Sequence, residues 1–412
     1  MIYFITMKVC FETFGCRLNK AEALQMEADY LADGWEVTTK HSDANLFVIR
    51  GCSVTARAQY ECEKLIAHLK RRYPAAGIKV CGCLKGEAAS SPLNRKNLPS
   101  TRSGGDATSP LPVRTARAYL KVQDGCAGKC TFCIVPKFRG ESRSEPFTGL
   151  LDRAKRFIDA GYHEIVVTGC NLSLYASEGK RLPDLISALA GLARSQPSHP
   201  SQPSHPSSCR IRLGSLEPGA CAQETVHAMA ESPNVCRFLH LPVQSGSNKV
   251  LLAMQRPYVV KDVEVTATLA AKLMPDLGLG CDLMTGFPGE SELDFAATRG
   301  LLKRLPFVHA HVFPFSERPG TLAAGFPRPI LKDIRSARAR LLADDMHAKR
   351  RKFAKTFIGK TVEIVVEDEK TGRGWTGEYL PCEPLSGSFV RKSIARIFVT
   401  RTQDDLLLGN PR

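Results

Sequence analysis

The sequence predicts an α/β protein in three parts: a small amino-terminal α/β domain, a partial (βα)6 barrel and a small carboxy-terminal β-barrel. Strand-like and helical runs alternate over about the first ninety residues, and again over roughly 230 residues after a Ser-, Pro- and Gly-rich segment. Short strand-like runs with Gly-containing turns occupy about the last sixty residues. With 412 residues, the chain is long enough for two or three hydrophobic cores.

The amino-terminal domain is expected to contain a parallel sheet of the flavodoxin or Rossmann-like kind. Its predicted strands are 8–14, 46–49 and 78–81, and its predicted helices are 20–33 and 56–72. A cysteine follows each strand: Cys16, Cys52 and Cys83. Because the carboxyl ends of parallel strands share one edge of a sheet, these three thiols can meet in space. The alternative is that each is an ordinary buried thiol.

Six strand-like runs, each followed by a helical stretch, predict the partial barrel: 119–123, 164–168, 210–216, 238–243, 278–284 and 309–315. The chemistry of such barrels lies at the carboxyl ends of the strands. Residues suited to a site stand at these ends: Cys126, Gly169, Asn171, Ser215, Glu217, Gln244, Ser245, Gly286 and Ser316. We therefore expect the functional site on this face of the barrel.

Three closely spaced cysteines follow the first barrel strand in the run CAGKCTFC: Cys126, Cys130 and Cys133. Three thiolates can hold three irons of a 4Fe–4S cluster and leave the fourth iron open. The alternative is a zinc site, which needs four ligands, and no second CxxC pair stands nearby in the sequence. The spacing therefore favours a catalytic cluster that activates S-adenosylmethionine (SAM).

The charge balance indicates a polyanionic partner such as RNA, although net charge can also serve solubility alone. Lys and Arg number 57 against 41 Asp and Glu, a net charge of +16. The basic segment 328–360 is expected to form a helix with an apolar stripe of Leu331, Ile334, Leu341 and Leu342. Its charged face is either solvated or turned towards RNA.

The carboxy-terminal barrel is predicted from strand-like runs at 361–366, 377–380, 388–390 and 396–400. Small barrels often bind RNA through basic and aromatic side chains. The candidates for RNA binding are Arg373, Trp375, Tyr379 and Arg391, each of which is alternatively a structural aromatic or a solvated charge.

The rest of the composition predicts a cytoplasmic protein without membrane spans. The chain has 15 cysteines, but it is long and begins without a secretory signal, so a reducing compartment is expected. No apolar window is long enough to cross a membrane. Residues 87–115 are predicted to be a linker, and the repeating Pro-Ser-His tract 195–208 a surface loop rather than a metal site.

A series of motifs in the chain resembles that of the radical SAM methylthiotransferase family, over nearly the whole length. The segments TFGCRLNKAE, VIRGCSVTARA and VCGCLKG resemble its three amino-terminal cysteine motifs, and VQDGCAGKCTFCIVPKFRGESRS resembles its catalytic loop. RIRLGSLEP, HLPVQSGSNKVLLAMQRPY, DLMTGFPGES and HVFPFSERPGT resemble later barrel motifs, and GWTGEYLPC its RNA-binding TRAM domain. Arg50–Gly51 before Cys52 and Leu84–Lys85 after Cys83 depart from the family pattern.

The resemblance implies a division into four segments. Residues 1–90 would form the methylthiotransferase domain with an auxiliary cluster, 91–115 a linker, 116–352 the radical SAM core and 353–412 the TRAM domain. Cys126, Cys130 and Cys133 would hold the cluster that cleaves SAM, and Cys16, Cys52 and Cys83 a second 4Fe–4S cluster. Phe132, Gly169, Ser215, Glu217 and Gln244 would contact SAM, and Arg139 and Arg143 would meet tRNA phosphate or the cofactor carboxylate.

The resemblance also implies the reaction and its partners. The motifs look most like the branch that methylthiolates carbon 2 of N6-threonylcarbamoyladenosine at tRNA position 37, and such an enzyme needs an electron donor such as flavodoxin or ferredoxin and a sulfur donor. Sister branches act on isopentenyladenosine in tRNA or on a ribosomal-protein aspartate. The alternative from another class is a non-catalytic, metal-containing RNA-binding protein.

Overall fold

The computed structural model of the chain describes residues 6–84, 115–194 and 209–412. The predicted linker at 87–115 and the Pro-Ser-His tract at 195–208 therefore lie outside the described residues, apart from Thr115. No helix within the three described stretches has both the length and the apolar character that a membrane crossing requires.

The amino-terminal domain is a parallel sheet covered by two helices, as the sequence predicts, but with four strands instead of three. Its elements are β1 (Lys8–Thr13), α1 (Arg17–Ala32), β2 (Glu36–Thr38), β3 (Leu46–Gly51), α2 (Ala56–Arg72) and β4 (Gly77–Gly82). The strand order is β2-β1-β3-β4, and every pair is parallel. Strand β3 is central and fully buried because both faces of the sheet are packed. Strand β2 was not predicted from the sequence.

Six parallel strands form the partial barrel. They are β5 (Ala118–Lys121), β8 (Glu164–Thr168), β11 (Arg210–Leu213), β12 (Phe238–Gln244), β13 (Gly278–Thr285) and β14 (Phe307–Pro314). The short strands β6 (Gln123–Asp124), β7 (Arg143–Ser144), β9 (Ala176–Ser177) and β10 (Lys180–Arg181) lie in the connections. Two parallel bridges, between Ile211 and Val235 and between Ser215 and His240, join the two halves β5-β8-β11 and β12-β13-β14. The predicted partial (βα)6 barrel is thus confirmed.

Helices cover the outer face of this barrel and form one large apolar core with it. They are α4 (Phe147–Asp159), α5 (Leu182–Arg194), α6 (Ala220–Glu231), α7 (Asn248–Ala253), α8 (Val260–Leu273), α9 (Glu292–Arg304) and α10 (Lys332–Lys355). The short helix α3 (Val135–Arg139) lies in the connection between β6 and β7.

Helix α10 buries a different stripe from the one predicted. Leu331, Ile334 and Leu341 are exposed, and of the predicted apolar set only Leu342 is buried. The buried stripe has a four-residue spacing and consists of Arg338, Leu342, Met346, Arg350 and Ala354. Two of its members are arginines that pair with carboxylates on other elements: Arg338 with Glu290 and Arg350 with Asp405. Because these buried arginines are charged, the buried face of α10 looks like an exposed polar face in the sequence.

The carboxy-terminal domain is a closed five-stranded barrel. Its strands are β15 (Thr361–Val366), β16 (Gly374–Thr376), β17 (Pro381–Pro384), β18 (Ile394–Gln403) and β19 (Leu406–Pro411), in the order β15-β16-β17-β19-β18. The predicted strands at 377–380 and 388–390 are wrong. Residues 377–379 form the turn between β16 and β17, where Tyr379 adopts a φ of 67°, and 388–390 lie in an irregular loop.

A buried ion network docks this small barrel on the partial barrel. Arg210 and Arg212 on β11 both bind Glu164 on β8, at 2.6 and 2.7 Å. Arg210 also donates to the backbone oxygens of Glu363 and Trp375, at 3.0 and 2.6 Å. Burial alone would raise the pKa of Glu164, but the two arginines outweigh it and hold that pKa well below its usual range. The network fixes the orientation of the two barrels.

Candidate active site

The loop from Cys126 to Cys133 sits above the partial barrel, between β6 and α3. Gly125 enters it with a φ of 68°, and the backbone N–H of Cys126 donates to Gly140 O at 3.1 Å, which closes the loop. Burial, together with the neighbouring thiols of Cys130 and Cys126, raises the pKa of the Cys133 thiol to about 11. The Cys133 N–H donates to Cys130 O at 3.1 Å, which keeps these two residues of the loop close together.

The second group of cysteines lies at one edge of the amino-terminal sheet. Cys16 precedes α1 directly, and Cys52 and Cys83 each follow the last residue of a strand, β3 and β4. The Cys83 N–H donates to Gly51 O at 3.1 Å, which ties the loops after those two strands together. Burial raises the pKa of the Cys52 thiol, and Cys16 and Cys83 raise it further. The structure thus brings together three residues that are far apart in sequence.

The two groups face each other across the contact between the domains. Arg139, the last residue of α3, follows the Cys126–Cys133 loop and donates from Nε to the Cys83 sulfur at 3.1 Å. Only 6% of its side chain is exposed. One side chain of the barrel loop therefore reaches a ligand candidate of the other domain.

Neither set of three cysteines has all of its sulfur atoms within 4.8 Å of one another. Two thiolates on one tetrahedral zinc ion lie about 3.8 Å apart. Among the described residues, two groups of three metal-binding side chains have all ligand atoms within 4.8 Å of one another, and neither group contains a cysteine of these two sets. Wider spacing of soft thiolate ligands suits the corners of an iron–sulfur cube.

Two glycines leave the space beside the sulfur atoms open. A Cβ atom at Gly128 would lie 3.2 Å from Cys126 Sγ and 3.8 Å from Cys130 Sγ, and one at Gly15 would lie 2.8 Å from Cys52 Sγ. The Gly128 N–H also donates to Cys126 Sγ at 3.3 Å. The space that these two glycines leave fits a group bound between the thiolates.

Glu217 is linked to the Cys126 loop through a residue that sequence reasoning missed. Arg256 donates to Glu217 Oε1 at 2.6 Å and to Cys130 Sγ at 3.0 Å, while Asn171 Nδ2 donates to Glu217 Oε2 at 2.7 Å. The Arg256 side chain is 7% exposed. Arg256 belongs to the motif LLAMQRPY, but nothing in its spacing reveals that it contacts a cysteine.

The other residues expected to contact SAM are placed as follows. The half-buried Phe132 packs against an apolar cluster and meets Phe287 edge-on at 6.5 Å. Gly169 is tightly packed, because a Cβ there would lie 3.0 Å from Gln123 O and that neighbour would have to shift. Ser215 is exposed at the end of β11. Gln244 is buried, and its Oε1 atom has no hydrogen-bond partner in the described part of the chain.

The basic and aromatic candidates differ in exposure. Arg139 is buried among protein groups, whereas Arg143, Arg373 and Arg391 are exposed. Trp375 and Tyr379 stack on each other, with ring centroids 4.6 Å apart.

Tyr379 lies where the three domains meet. The guanidinium carbon atoms of Arg17 and Arg212 lie 5.3 and 5.4 Å from the centroid of its ring. The ring centroid of Phe238 on β12 is 4.6 Å away. Tyr379 therefore packs inside the molecule rather than on its outer surface.

Two family models match the chain in separate segments. The radical SAM superfamily matches residues 120–302, and the family described as uncharacterized protein family UPF0004 matches residues 8–98. The first segment contains Cys126, Cys130 and Cys133, and the second contains Cys16, Cys52 and Cys83.

Curated relatives align with most of the chain. The threonylcarbamoyladenosine tRNA methylthiotransferase MtaB of Aquifex aeolicus is 29% identical over 88% of this chain and 93% of its own length. The MtaB of Bacillus subtilis is 28% identical, with 94% of both chains covered. The tRNA-2-methylthio-N(6)-dimethylallyladenosine synthase of Chlorobium limicola is 28% identical over 88% of this chain and 87% of its own.

A solved structure shares the fold. The radical SAM methyltransferase TsrM from Kitasatospora setae, with cobalamin and a 4Fe–4S cluster bound, aligns with a TM-score of 0.54 over 78% of this chain and 74% of its own, at 13% identity. The fold and the cysteine loop above the partial barrel define a radical SAM enzyme, which carries a 4Fe–4S cluster and uses SAM. The chain thus contains a radical SAM domain and a UPF0004 domain, and over most of its length it is similar to tRNA methylthiotransferases.

Proposed function

We propose that the protein methylthiolates carbon 2 of N6-threonylcarbamoyladenosine at position 37 of tRNA, using two 4Fe–4S clusters and SAM. The observation that carries this proposal is the second set of cysteines, Cys16, Cys52 and Cys83, which faces the Cys126 loop across Arg139. A radical SAM enzyme that only cleaves its cofactor has no need of a second set. Sulfur insertion needs a sulfur source beside the radical site.

The cysteine groups have separate roles in this proposal. When bound, the cluster at Cys126, Cys130 and Cys133 supplies the electron that cleaves SAM, and the cluster at Cys16, Cys52 and Cys83 supplies the sulfur. The protein's own residues hold these ligands and the base at fixed distances and exclude water from the reaction. An external electron donor such as flavodoxin or ferredoxin and a sulfur donor complete the reaction.

We assign roles to the residues around SAM from their contacts. Glu217 is held by Arg256 and Asn171, so its carboxylate is oriented above the barrel. Gln244 presents a buried oxygen without a partner, which suits a donor group of the cofactor. Phe132 offers an apolar surface for the adenine, Ser215 an exposed hydroxyl, and Gly169 the close approach that only glycine permits.

The domain assignment follows from the same proposal. Residues 1–90 hold the auxiliary cluster, 91–115 link it to the radical SAM core at 116–352, and the TRAM domain at 353–412 binds tRNA. The exposed Arg373, Arg391 and Arg143 are the phosphate contacts we propose. Trp375 and Tyr379 hold the RNA-binding barrel in place through their contacts with the core. Helix α10, which is buried at Arg338 and Arg350, ends at Lys355 and so joins the two domains.

The base itself is proposed from the motifs VQDGC and TFGCRLNKAE and from the name of the Aquifex aeolicus relative. A second candidate is dimethylallyladenosine in tRNA, because relatives named for that product are as similar to this chain, at 28–29% identity. The residues discussed above would have the same roles with either base. The two bases differ only in the substituent on N6.

Analysis of tRNA nucleosides tests the proposal. A strain without the gene should lack 2-methylthio-N6-threonylcarbamoyladenosine by mass spectrometry and regain it with the native chain, but not with Cys16, Cys52 and Cys83 replaced by Ala. Loss of the methylthio group from dimethylallyladenosine instead would favour the second candidate. An unchanged tRNA nucleoside profile together with loss of the methylthio group from a ribosomal protein would rule out both tRNA candidates. Zinc without iron or sulfide in anaerobically purified protein would indicate a non-catalytic binding protein.

A further inference from the structure

We propose that Arg139 is a positioning residue for the amino-terminal cysteines, so that the loop of the radical SAM core completes the site of the second cluster. This inference rests on the proposed second cluster. Arg139 Nε donates to Cys83 Sγ at 3.1 Å, and Nη1 donates to Asp124 Oδ1 at 2.9 Å and to Glu22 Oε1 at 3.0 Å. Asp124 lies in the core, whereas Glu22 and Cys83 belong to the amino-terminal domain.

Asn19 extends the reach of Arg139 to the other two cysteine loops. Arg139 Nη2 donates to Asn19 Oδ1 at 2.8 Å. Asn19 Nδ2 in turn donates to Phe14 O at 2.7 Å and to Gly51 O at 3.1 Å. Asn19 is fully buried, so these bonds are protected from water.

These contacts place one residue of the core in touch with all three loops. Phe14 lies two residues before Cys16, and Gly51 comes immediately before Cys52. Cys83 is contacted directly through its sulfur. Because a planar guanidinium has five donors in a fixed geometry, a single arginine can hold loops from three different strands in register.

The carboxylates that bind Arg139 also have other cationic partners. Glu22 also binds Lys121 at 3.2 Å and pairs with Arg50, so the carboxylate keeps two cations if Arg139 is removed. Asp124 likewise keeps Lys121, at 3.2 Å. The fold therefore does not depend on Arg139 for charge balance, whereas its contact with Cys83 has no substitute among these groups.

The contact with Cys83 has an electronic consequence as well. A cationic N–H group that donates to a cluster thiolate stabilises negative charge on the sulfur, and so favours the reduced form of the cluster. Because Arg139 directly follows the Cys126–Cys133 loop in the chain, an ordered loop at one cluster supports both the geometry and the reduction potential of the other.

The test uses the full chain with Cys126, Cys130 and Cys133 replaced by Ala, so that Cys16, Cys52 and Cys83 are left to hold a cluster. After anaerobic reconstitution, we expect Arg139→Gln in this background to lower bound iron and sulfide at least twofold. The remaining cluster should have an altered electron paramagnetic resonance signal and a lower midpoint potential. Arg139→Lys should restore part of the iron. Arg143→Gln, an exposed arginine on the same segment, is the matched control and should change none of these values.

A second variant keeps the test valid if Arg139→Gln folds poorly by circular dichroism. Asn19→Asp retains the acceptor for Arg139 but loses both donations to Phe14 O and Gly51 O, and should also lower the iron content. Unchanged iron, spectrum and potential in Arg139→Gln would overturn the role of Arg139 and leave the second cluster standing. No iron in the background variant itself would overturn both this inference and the proposed function.

Discussion

Arg256 donates from Nη1 to the sulfur of Cys130 at 3.0 Å, across 126 residues of sequence. Its Nη2 atom holds Glu217 at 2.6 Å, and its Nε atom donates to Tyr258 at 2.9 Å. One buried cation thereby connects a proposed cluster ligand with a carboxylate of the proposed SAM site. Arg139 stands in the same relation to Cys83, so each set of cysteines has one arginine donating to a sulfur atom.

Replacing Arg256 should lower the reduction potential of the cluster at Cys126, Cys130 and Cys133. Loss of a cationic donor to a thiolate disfavours the reduced, more negative cluster. We expect Arg256→Gln, in a chain with Cys16, Cys52 and Cys83 replaced by Ala, to shift the potential downwards in a titration followed by electron paramagnetic resonance. Lys261→Gln, which removes an exposed charge from α8, should leave it unchanged. An equal potential in both variants would contradict the prediction.

Gly15→Ala should remove the proposed amino-terminal cluster. Gly15 has a φ of 85°, and a Cβ there would lie 2.8 Å from Cys52 Sγ, in the space where the sulfur ligands converge. We expect the anaerobic protein to lose about half of its iron, as expected for one of two similar clusters. Gly34→Ala is the matched control, because Gly34 has a φ of 80° but nothing within 4 Å of a Cβ. Equal iron loss in the two variants would attribute the effect to backbone strain alone.

Glu164→Gln should destabilise the docked barrels. The carboxylate is fully buried and compensates Arg210 and Arg212, so its loss leaves buried charges without a partner. Breaking such a pair costs about 3–5 kcal/mol. Urea unfolding should show this loss, whereas Glu224→Gln should cost less than about 1 kcal/mol, because its ion pair with Arg181 is half exposed. A loss below about 1 kcal/mol for Glu164→Gln would refute a role of the network in stability.

His309 should make the fold less stable as the pH falls below about 6.5. Burial, followed by Arg350, His311 and His240, lowers the pKa of His309 to about 2. Between that value and the ordinary pKa of about 6.5, the unfolded chain binds a proton that the folded chain does not, so acid favours unfolding. The loss attributable to His309 reaches at most about 2 kcal/mol at pH 5.

Urea unfolding at pH 7 and pH 5 checks this dependence. We expect His309→Gln to lose less stability between the two pH values than the native chain does. His347→Gln changes an exposed histidine of α10 and should behave like the native chain. The same pH dependence in the native chain and in His309→Gln would exclude the buried histidine as the cause.

Most of the fold could be predicted because apolar periodicity directly reflects which residues are buried. The predicted helix at 56–72 and the predicted strands at 164–168 and 361–366 have the bounds observed for α2, β8 and β15. The pattern failed where burial and polarity separate. Arg338 and Arg350 are buried through ion pairs, and the turn at 377–379 carries an aromatic side chain, Tyr379, because it packs against another domain.

The departures from the family pattern become understandable only in three dimensions. A Cβ at Gly51 would lie 2.5 Å from the Cβ of Leu84. Glycine at position 51 therefore leaves room for the leucine at position 84. Arg50 is buried and pairs with Glu22, the carboxylate that Arg139 also binds. Lys85 lies outside the described residues.

The sequence alone could establish the identity and spacing of the cysteines and their positions at strand ends. Residue type, spacing and the order of the strands can all be read from short segments of the chain. The contacts of Arg139 with Cys83, of Arg256 with Cys130 and Glu217, and of Glu164 with Arg210 could not be established in this way, since each joins groups separated by 39 or more residues, a distance over which no periodic signal persists. Tertiary packing brings these partners together and removes water from between them, and only then do their charges act strongly on one another.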